Sequence, residues 1–361
     1  MNRRSPNTSA RRTATSAGAG NCLILLYHRV ADLESDPQLL AVSPSNFKEH
    51  LRIIRRDFNP ISLNDLVAAH DSGDIPPNVL VITFDDGYAD NLEIAAPLLA
   101  EFDIPATIFV TPRGDSADRE FWWDDLEPII LQNPRLPADL DLEIDHTLHH
   151  WRLTDGSDQE PSDPAWNVLS AAPVTERQGL YLFLSRILRV TPDQYRRTAL
   201  DRLAHWAGQP LAVRPTHRVM TPTQLRAAAS SELVEIGAHT LTDPVLSSLT
   251  VTEQFDEIDG SRRTLESIIE SSVMSFSFPF GCRGDFGDET IAMVRNAGFR
   301  CACSNSGKPP HAAALVNHAS NLFTLPRALV RNWPRDEFQR HLQNAFGARA
   351  AGRIHHASIG A

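Results

Sequence analysis

Residues 79–91, Val-Leu-Val-Ile-Thr-Phe-Asp-Asp-Gly-Tyr-Ala-Asp-Asn, constrain the fold of this chain more than any other segment. The first four are consecutive apolar β-formers, which predicts a strand buried on both faces, as in a parallel sheet covered by helices. Asp85 and Asp86 follow this strand directly, before Gly87 and a new helical pattern. Because the carboxyl ends of strands carry the chemistry in α/β folds, an acidic pair at this place indicates a metal site or an acid–base site.

A helix cap is the alternative explanation for these two aspartates. An N-terminal cap with an acidic first turn would account for Asp85 or for Asp86. A cap needs only one carboxylate, however. Two adjacent carboxylates on a rigid strand end repel each other unless a cation or a shared proton is present. The pair therefore favours a functional site.

The rest of the chain alternates between strand patterns and amphipathic helical patterns. Capping-box sequences at Thr221 and Thr250 predict two of the helix starts, and a last helix is predicted over residues 334–346. The predicted strands, besides the one described, lie at residues 22–30, 104–110, 233–239, 299–304 and 322–330. This order predicts a parallel α/β architecture.

Between about residues 112 and 220 this alternation breaks. Helical patterns at 175–188 and 192–206 predict a largely helical insertion, which we expect to cover the strand ends. Residues 133–172 are rich in Pro and Asp and are predicted to form a loop with little regular structure. Trp122 and Trp123 are expected either to pack in a core or to provide a stacking surface for a sugar.

Both ends of the chain are expected to lie outside the folded domain, which we place at residues 21–346. Residues 1–20 carry four arginines among small and polar residues, a composition typical of a disordered tail. This segment has no apolar run of the kind found in secretory signals. Residues 347–361 follow the last predicted helix as a second tail.

Composition excludes several classes of partner. The net charge of −11 argues against nucleic-acid binding through a basic face. We expect no stable membrane insertion, because the apolar runs are too short to span a bilayer. The four cysteines do not form a pair of Cys-x-x-Cys motifs and are expected to be reduced thiols of a cytoplasmic protein. The sequence does not indicate an oligomeric state.

Three motifs in order along the chain resemble those of one enzyme family. Thr83-Phe-Asp-Asp-Gly-Tyr88 is similar to the first motif of the polysaccharide deacetylases, also called carbohydrate esterase family 4 or NodB-like domains. Ala238-His239-Thr240 is similar to the second, and Pro279-Phe280-Gly281 to the third. The resemblance implies a distorted, incomplete (β/α) barrel of the NodB type. It also implies a metal-dependent hydrolase that removes N-acetyl groups from an amino sugar or a polysaccharide intermediate.

The resemblance further implies a role for each matching residue. Asp85 corresponds to the general base, and Asp86 and His239 correspond to metal ligands. Zinc is the expected metal, and other divalent ions are compatible with the site. The backbone N–H of Phe280, which stands in place of a tyrosine, corresponds to the group that holds the oxyanion. His28, in a Tyr-His pair that ends the first predicted strand, corresponds to the general acid of the poly-N-acetylglucosamine deacetylase type.

Asp243 stands where the second family motif, His-Thr/Ser-x-x-His, has its second histidine. An aspartate can bind a divalent metal through oxygen, so we expect Asp86, His239 and Asp243 to form a more anionic site than usual. The alternatives are a weak or absent metal, or a substitute ligand such as His217. Arg327, in a Leu-Pro-Arg segment, would orient the catalytic carboxylate and hold it ionised. A surface ion pair is the other explanation for this arginine.

Two other functions are compatible with the sequence. Asp243 favours a degenerate, non-catalytic carbohydrate-binding protein, and a hydrolase of another carbon–nitrogen (amide) bond is possible because a fold does not determine a substrate. Asp85, Asp86, His239 and His28 together favour an enzyme, because binding alone needs no base and acid pair. The sequence does not identify the sugar, nor does it show whether the sugar is polymeric, lipid-linked or nucleotide-linked.

Overall fold

A ring of parallel strands forms the centre of the computed structural model, which describes residues 20–112, 119–154, 161–170 and 175–355, with side chains as far as residue 347. The strands are, in chain order, β1 (Cys22–Tyr27), β2 (Arg29–Val30), β3 (Ala41–Val42), β4 (Asn59–Pro60), β5 (Val79–Phe84), β6 (Ala106–Val110), β7 (Asp139–Ile144), β8 (Thr147–Arg152), β9 (Val234–Ala238), β10 (Ser275–Ser277), β11 (Cys301–Asn305) and β12 (Leu325–Leu329).

The ring closes through β1, which pairs in parallel with both β12 and β5. From β1 the order of neighbours is β12, β11, β10, β9, β6 and β5, and the short strand β4 adds an edge beside β5. Every one of these pairings is parallel. The predicted distorted, incomplete (β/α) barrel is thereby confirmed, with seven strands in place of the eight of a complete (β/α) barrel.

Helices alternate with the strands along much of the chain. They are α1 (Pro44–Asp57), α2 (Leu63–Ser72), α3 (Ala96–Glu101), α4 (Trp122–Leu126), α5 (Glu176–Val190), α6 (Asp193–Ala207), α7 (Pro222–Ala229), α8 (Val251–Ile269), α9 (Asp288–Asn296) and α10 (Arg335–His355). A π-helical turn precedes α3 and another follows α4. None of the described helices is long and apolar enough to cross a membrane.

Strand β5 is buried on both faces, as its apolar run predicts. Leu80, Ile82 and Phe84 belong to the apolar cluster that the strands share with the outer helices. Val79 and Val81 belong to a second cluster, formed by alternate strand residues inside the ring and by α2. Because side chains alternate along a strand, the series Val79, Val81, Thr83 continues to Asp85 and directs its side chain toward the inside of the ring.

The described residues between β6 and α7 form an insertion with an apolar core of its own, built from α4, α5, α6 and the antiparallel pair β7–β8. The prediction of a loop at residues 133–172 is wrong where this hairpin lies. Leu140, Leu142 and Ile144 alternate with Asp and Glu, and they are buried in the core of the insertion while the acidic residues face solvent. The density of Pro and Asp conceals this two-residue period.

The last helix is longer than its sequence pattern predicts. Residues 347–355, expected to belong to the C-terminal tail, continue α10 as far as His355. Three alanines and two arginines in this segment favour helix against the two glycines, and no proline interrupts it. Residues 1–19 and 356–361, the remaining parts of the predicted tails, lie outside the described residues.

Candidate metal and catalytic site

The candidate site lies at the carboxyl ends of the ring strands. Asp85 and Asp86 follow β5, and His239 follows β9. His28 separates β1 from β2, and Phe280 lies in the turn after β10. Because parallel strands end at the same edge of a sheet, the ring gathers these segments around one cavity of about 380 Å3. Six predicted site residues line this cavity: His28, Asp85, Asp86, His239, Asp243 and Phe280.

Asp86, His239 and Asp243 form a compact group of potential metal ligands. One ligand atom from each lies within 4.8 Å of the others. The Nε2 atom of His239 is 3.3 Å from Oδ1 of Asp243 and 3.7 Å from Oδ1 of Asp86. All three residues are buried. Asp243 therefore lies close enough to Asp86 and His239 for the three to hold one metal ion.

The imidazole of His239 is held so that Nε2 faces this group. Its Nδ1 lies 2.8 Å from the carbonyl oxygen of Ser277 and donates a hydrogen bond to it. Such a second contact sets the tautomer of a metal-binding histidine and leaves the other nitrogen as the ligand. The main chain of His239 is also anchored, because its N–H donates to the carbonyl of Val110 at 2.9 Å and its carbonyl accepts from the Thr111 hydroxyl at 2.7 Å.

The electrostatics of the group fit a bound cation. Oδ2 of Asp86 is buried and has no hydrogen-bond partner among the described residues. Burial, followed by the neighbouring carboxylates of Asp243 and Asp85, raises the pKa of Asp86 well above its usual range. A divalent ion would compensate these charges, and one imidazole with two carboxylates is a donor set that zinc and harder divalent ions accept.

Asp85 lies beside this group but is held by a buried arginine. Nη1 and Nη2 of Arg327 donate to its two carboxylate oxygens at 2.7 and 2.6 Å, and Arg327 is completely buried. The surface ion pair considered for Arg327 is therefore wrong. Burial raises the pKa of Asp85, but the attraction of Arg327 and of the neighbouring histidines outweighs it and leaves this pKa below its usual value.

Ser277 also supports Asp85, and sequence reasoning did not find it. Its hydroxyl lies 3.2 Å from Oδ2 of Asp85 and accepts a hydrogen bond from Nη2 of Arg327 at 2.7 Å. The available signal was a serine between two phenylalanines, Phe276 and Phe278, at the end of a short strand. Such alternation predicts that Ser277 faces away from the phenylalanines, toward the inside of the ring.

His28 is half-buried in the cavity wall. Burial lowers its pKa to about 4; Asp85 partly opposes this effect, whereas Arg327 and Arg331 add to it. The imidazole is therefore neutral at pH 7. Within the described part of the chain, no group hydrogen-bonds to this ring, and only the carbonyl of His28 is engaged, by the side chain of Asn91 at 2.9 Å. A role as general acid requires that His28 first acquire a proton.

Several residues of the site have a left-handed backbone although none of them is glycine. The φ angles are +74° at Asp86, +61° at Thr240, +57° at Asp243 and +58° at Phe280. This region is uncommon for residues with a Cβ, and for Thr and Phe it is less favourable than for Asp. Such angles persist where the surrounding structure enforces them, often at functional sites.

The insertion contributes one wall of the cavity. Trp122 and Trp123 line it together with Leu182, Arg186 and Arg189 of α5. Both tryptophans are 7% exposed, and their rings pack edge to face with centroids 5.3 Å apart. Nε1 of Trp122 is buried and lacks a hydrogen-bond partner among the described residues. The tryptophans are thus core residues of the insertion that also border the cavity.

His217, the substitute ligand considered above, does not lie in this group. It is buried in a short 3-10 turn, with Nδ1 3.0 Å from the hydroxyl of Thr216. Burial, Arg214 and Arg29 lower its pKa to about 3. Among the described residues, the group of potential ligands near Asp86 contains His239 and Asp243 but not His217.

Structural comparison supports the fold. A Streptococcus pyogenes deacetylase, PplD, in complex with acetate superposes with a TM-score of 0.55 at 13% identity, over 90% of this chain and 99% of that chain. IcaB from Ammonifex degensii superposes with a TM-score of 0.52 at 16% identity, over 91% of this chain and 98% of that one. At such low identities these similarities concern the fold alone.

Sequence comparison identifies the family. The poly-beta-1,6-N-acetyl-D-glucosamine N-deacetylase of Escherichia coli K12 is 32% identical over 82 residues, which cover 22% of this chain and only 12% of that protein. The sequence profile described as polysaccharide deacetylase matches residues 72–163 and 203–302, together more than half of the chain. Both matched segments contain part of the site, since the first includes the two strand-end aspartates and the second includes His239, Asp243 and Phe280. The chain belongs to the polysaccharide deacetylase family, whose members are hydrolases that act on N-acetyl amide bonds.

Proposed function

We propose that this protein is a metal-dependent hydrolase that removes N-acetyl groups from an amino sugar, either in a polysaccharide or in an intermediate of its synthesis. One observation carries the proposal. The potential ligands Asp86, His239 and Asp243 share a cavity with Asp85, a carboxylate that a buried arginine keeps ionised. Membership of the family supports this reading of the cavity.

Asp86, His239 and Asp243 would hold the metal. When bound, a divalent ion supplies Lewis-acid polarisation and lowers the pKa of a coordinated water. Zinc is the proposed ion because a nitrogen ligand and carboxylates suit it. Two carboxylates make the site harder than a set with two histidines, so other divalent ions are compatible with it.

The protein's own groups would move the protons. Asp85 is ionised and fixed in orientation by Arg327 and Ser277, as a general base must be, and it would accept a proton from the attacking water. His28, neutral in the cavity wall, would take up a proton from solvent water and deliver it to the departing amine nitrogen. The backbone N–H of Phe280 would hold the developing oxyanion.

A non-catalytic carbohydrate-binding protein is the second candidate. The observation in its favour is that Asp243 stands in place of the usual histidine. If this replacement weakens metal binding, the cavity would bind a sugar but could not hydrolyse its amide bond. The Asp85–Arg327 pair opposes it, since a binding site needs no buried, ionised base. A different amide substrate remains compatible with the same residues.

We also propose a cytoplasmic location. The four cysteines are all free, and Cys22, Cys301 and Cys303 are buried in the ring. Unpaired cysteines are typical of a reducing compartment.

Metal analysis combined with a screen of N-acetylated sugars for acetate release tests the proposal. Asp85→Asn should abolish acetate release and retain the parental metal content, whereas Asp86→Asn should lose both. Asp256→Asn, an exposed position on α8, is the matched control and should retain both. Near-parental turnover in Asp85→Asn would show that the base is assigned wrongly. A parent protein that binds sugar but holds no metal and releases no acetate would establish the non-catalytic alternative.

A further inference from the structure

Arginine side chains form part of the wall above the acidic floor of the cavity. Arg186 and Arg189 come from α5 of the insertion, and Arg331 follows β12. The chain as a whole has a net charge of −11, so three guanidinium groups around one cavity are a local departure from its acidic character. Their charges need an explanation.

Arg189 is satisfied within the protein. Its Nη2 donates to Oδ1 of Asp285 at 2.6 Å, and its guanidinium lies over the ring of Phe280, 4.4 Å from the ring centroid. Arg186 differs, because it is exposed at the cavity and makes no ion pair or hydrogen bond within the described part of the chain. The charge of Arg186 is therefore available to a ligand.

Arg331 is half-buried, and no carboxylate of the described residues makes an ion pair with it. Its Nη1 donates to the backbone carbonyls of Gln38, at 3.2 Å, and Leu39. Asp36 is the carboxylate that influences it, yet the two oxygens of Asp36 accept hydrogen bonds from the backbone N–H groups of Leu40 and Ala41. A cation withdrawn from water is unfavourable unless a counter-charge compensates it.

The acidic floor does not need these arginines. Asp85 is neutralised by Arg327 from inside the ring, and Asp86 and Asp243 would be neutralised by the proposed metal. Among the described residues, Arg186 thus has no ionic partner, and Arg331 has only Asp36, whose carboxylate oxygens already accept backbone hydrogen bonds. Guanidinium groups bind phosphate through paired, charge-assisted hydrogen bonds, and two of them match the charge of a phosphate monoester, about −1.5 to −2 at pH 7.

On the basis of the proposed function, we infer that the amino sugar substrate carries a phosphate group, which Arg186 and Arg331 bind while the acetamide lies at the acidic floor. The cavity volume of about 380 Å3 is near the lower end of the roughly 300–1,000 Å3 typical of small-ligand sites. Such a volume holds a sugar unit with one substituent, which places the phosphate on the acetylated sugar itself or on its immediate neighbour.

The test compares acetate release from N-acetylglucosamine, its 1-phosphate and 6-phosphate, and N-acetylmuramic acid, using the zinc-loaded full chain. At least one phosphorylated sugar should have the highest kcat/KM, mainly through a lower KM. Arg186→Gln should reduce this preference over the neutral sugar roughly tenfold to a hundredfold, the usual effect of losing a charge-assisted contact. Arg331→Gln should act in the same direction. Arg263→Gln, an exposed arginine on α8, is the control and should preserve the preference.

A binding measurement separates this inference from the proposed function. Glucosamine 1-phosphate and glucosamine 6-phosphate should each be compared with glucosamine by calorimetry, with zinc and after chelation, to exclude phosphate bound only to the metal. The inference is supported if a phosphorylated sugar binds more tightly than glucosamine both with zinc and after chelation, and if Arg186→Gln abolishes this difference in affinity. This support holds even if no sugar is deacetylated.

Three results would each overturn the inference: equal kcat/KM for neutral and phosphorylated sugars, a preference unaffected by Arg186→Gln, or a preference for the carboxylate of N-acetylmuramic acid. Because Arg186 is exposed and contacts no charged or hydrogen-bonding partner in the described segments, its replacement should leave the fold intact and the result interpretable.

Discussion

Replacing Arg327 by Met should destabilise the protein strongly, because it leaves the Asp85 carboxylate buried without its partner. The substitution removes two hydrogen bonds to Asp85, of 2.7 and 2.6 Å, and one to Ser277 of 2.7 Å. The side chains of Arg327 and Asp85 are 0% and 5% exposed, so bulk water compensates little of the lost contacts. Removing one partner of a buried ion pair lowers the free energy of unfolding by about 3–5 kcal/mol.

The effect should depend on pH with a definite sign. The pKa of Asp85 is lower in the folded protein than usual, so the pair contributes stability above the carboxyl pKa of the unfolded chain. This contribution is lost as the pH falls through the folded-state pKa. The difference in unfolding free energy between parent and Arg327→Met should therefore be largest near pH 7 and should shrink on acidification below about pH 4.

Chemical denaturation at these two pH values, in a constant excess of chelator, measures the effect. Asp85→Asn in the Arg327→Met background supplies a double-mutant cycle, and the double variant should be less destabilised than the sum of the single variants by about 1–3 kcal/mol. Arg263→Met, at an exposed ion pair, is the control and should change stability by less than about 1 kcal/mol. The reasoning would be refuted if Arg327→Met also changed stability by less than about 1 kcal/mol and if the effects of Arg327→Met and Asp85→Asn were additive.

Two further predictions concern the cavity. His28→Ala should lower turnover by about 10² to 10⁴, the usual contribution of a positioned acid or base, with metal stoichiometry unchanged; loss of metal would make His28 a ligand instead. Asp243→Ala should weaken metal binding in equilibrium dialysis. Asp243→His should bind metal with a higher preference for zinc. Its pH–rate profile should shift toward lower pH, because a less anionic site lowers the pKa of coordinated water further. A protein that binds metal equally well with Ala at position 243 would refute the ligand assignment.

The parts of the fold with strong local signals were predictable. The capping boxes at Thr221 and Thr250 begin α7 and α8 where the pattern places them, since these signals involve residues only three positions apart. The strand-end position of Asp85 follows from a run of apolar residues. The hairpin at residues 139–152 was missed although its alternation is regular, because turn-forming residues on either side dominate the local composition.

The parts of the site that depend on distant segments were not predictable from local patterns. Arg327 was identified as a candidate, but the sequence could not decide whether it pairs with Asp85 or forms an ion pair at the surface. The answer depends on the pairing of β1 with both β5 and β12, which closes the ring. Ser277 meets this pair from a third strand. Arg186 faces the cavity only because the insertion folds over the strand ends, and the period of its helix gives no information about that docking.

The left-handed residues at the strand ends have a consequence for how this site can change over evolutionary time. Unfavourable backbone conformations in this class cost on the order of 1–3 kcal/mol each, and Thr240 and Phe280 lack the local tolerance that aspartate has. The free energy of unfolding is only about 5–15 kcal/mol for a typical domain, so these conformations lower it by a substantial fraction and leave less stability to tolerate destabilising mutations. Glycine relieves the conformational penalty wherever it replaces such a residue. Lineages released from selection for activity should therefore accumulate glycine or asparagine at these four positions, gaining stability as they lose the site.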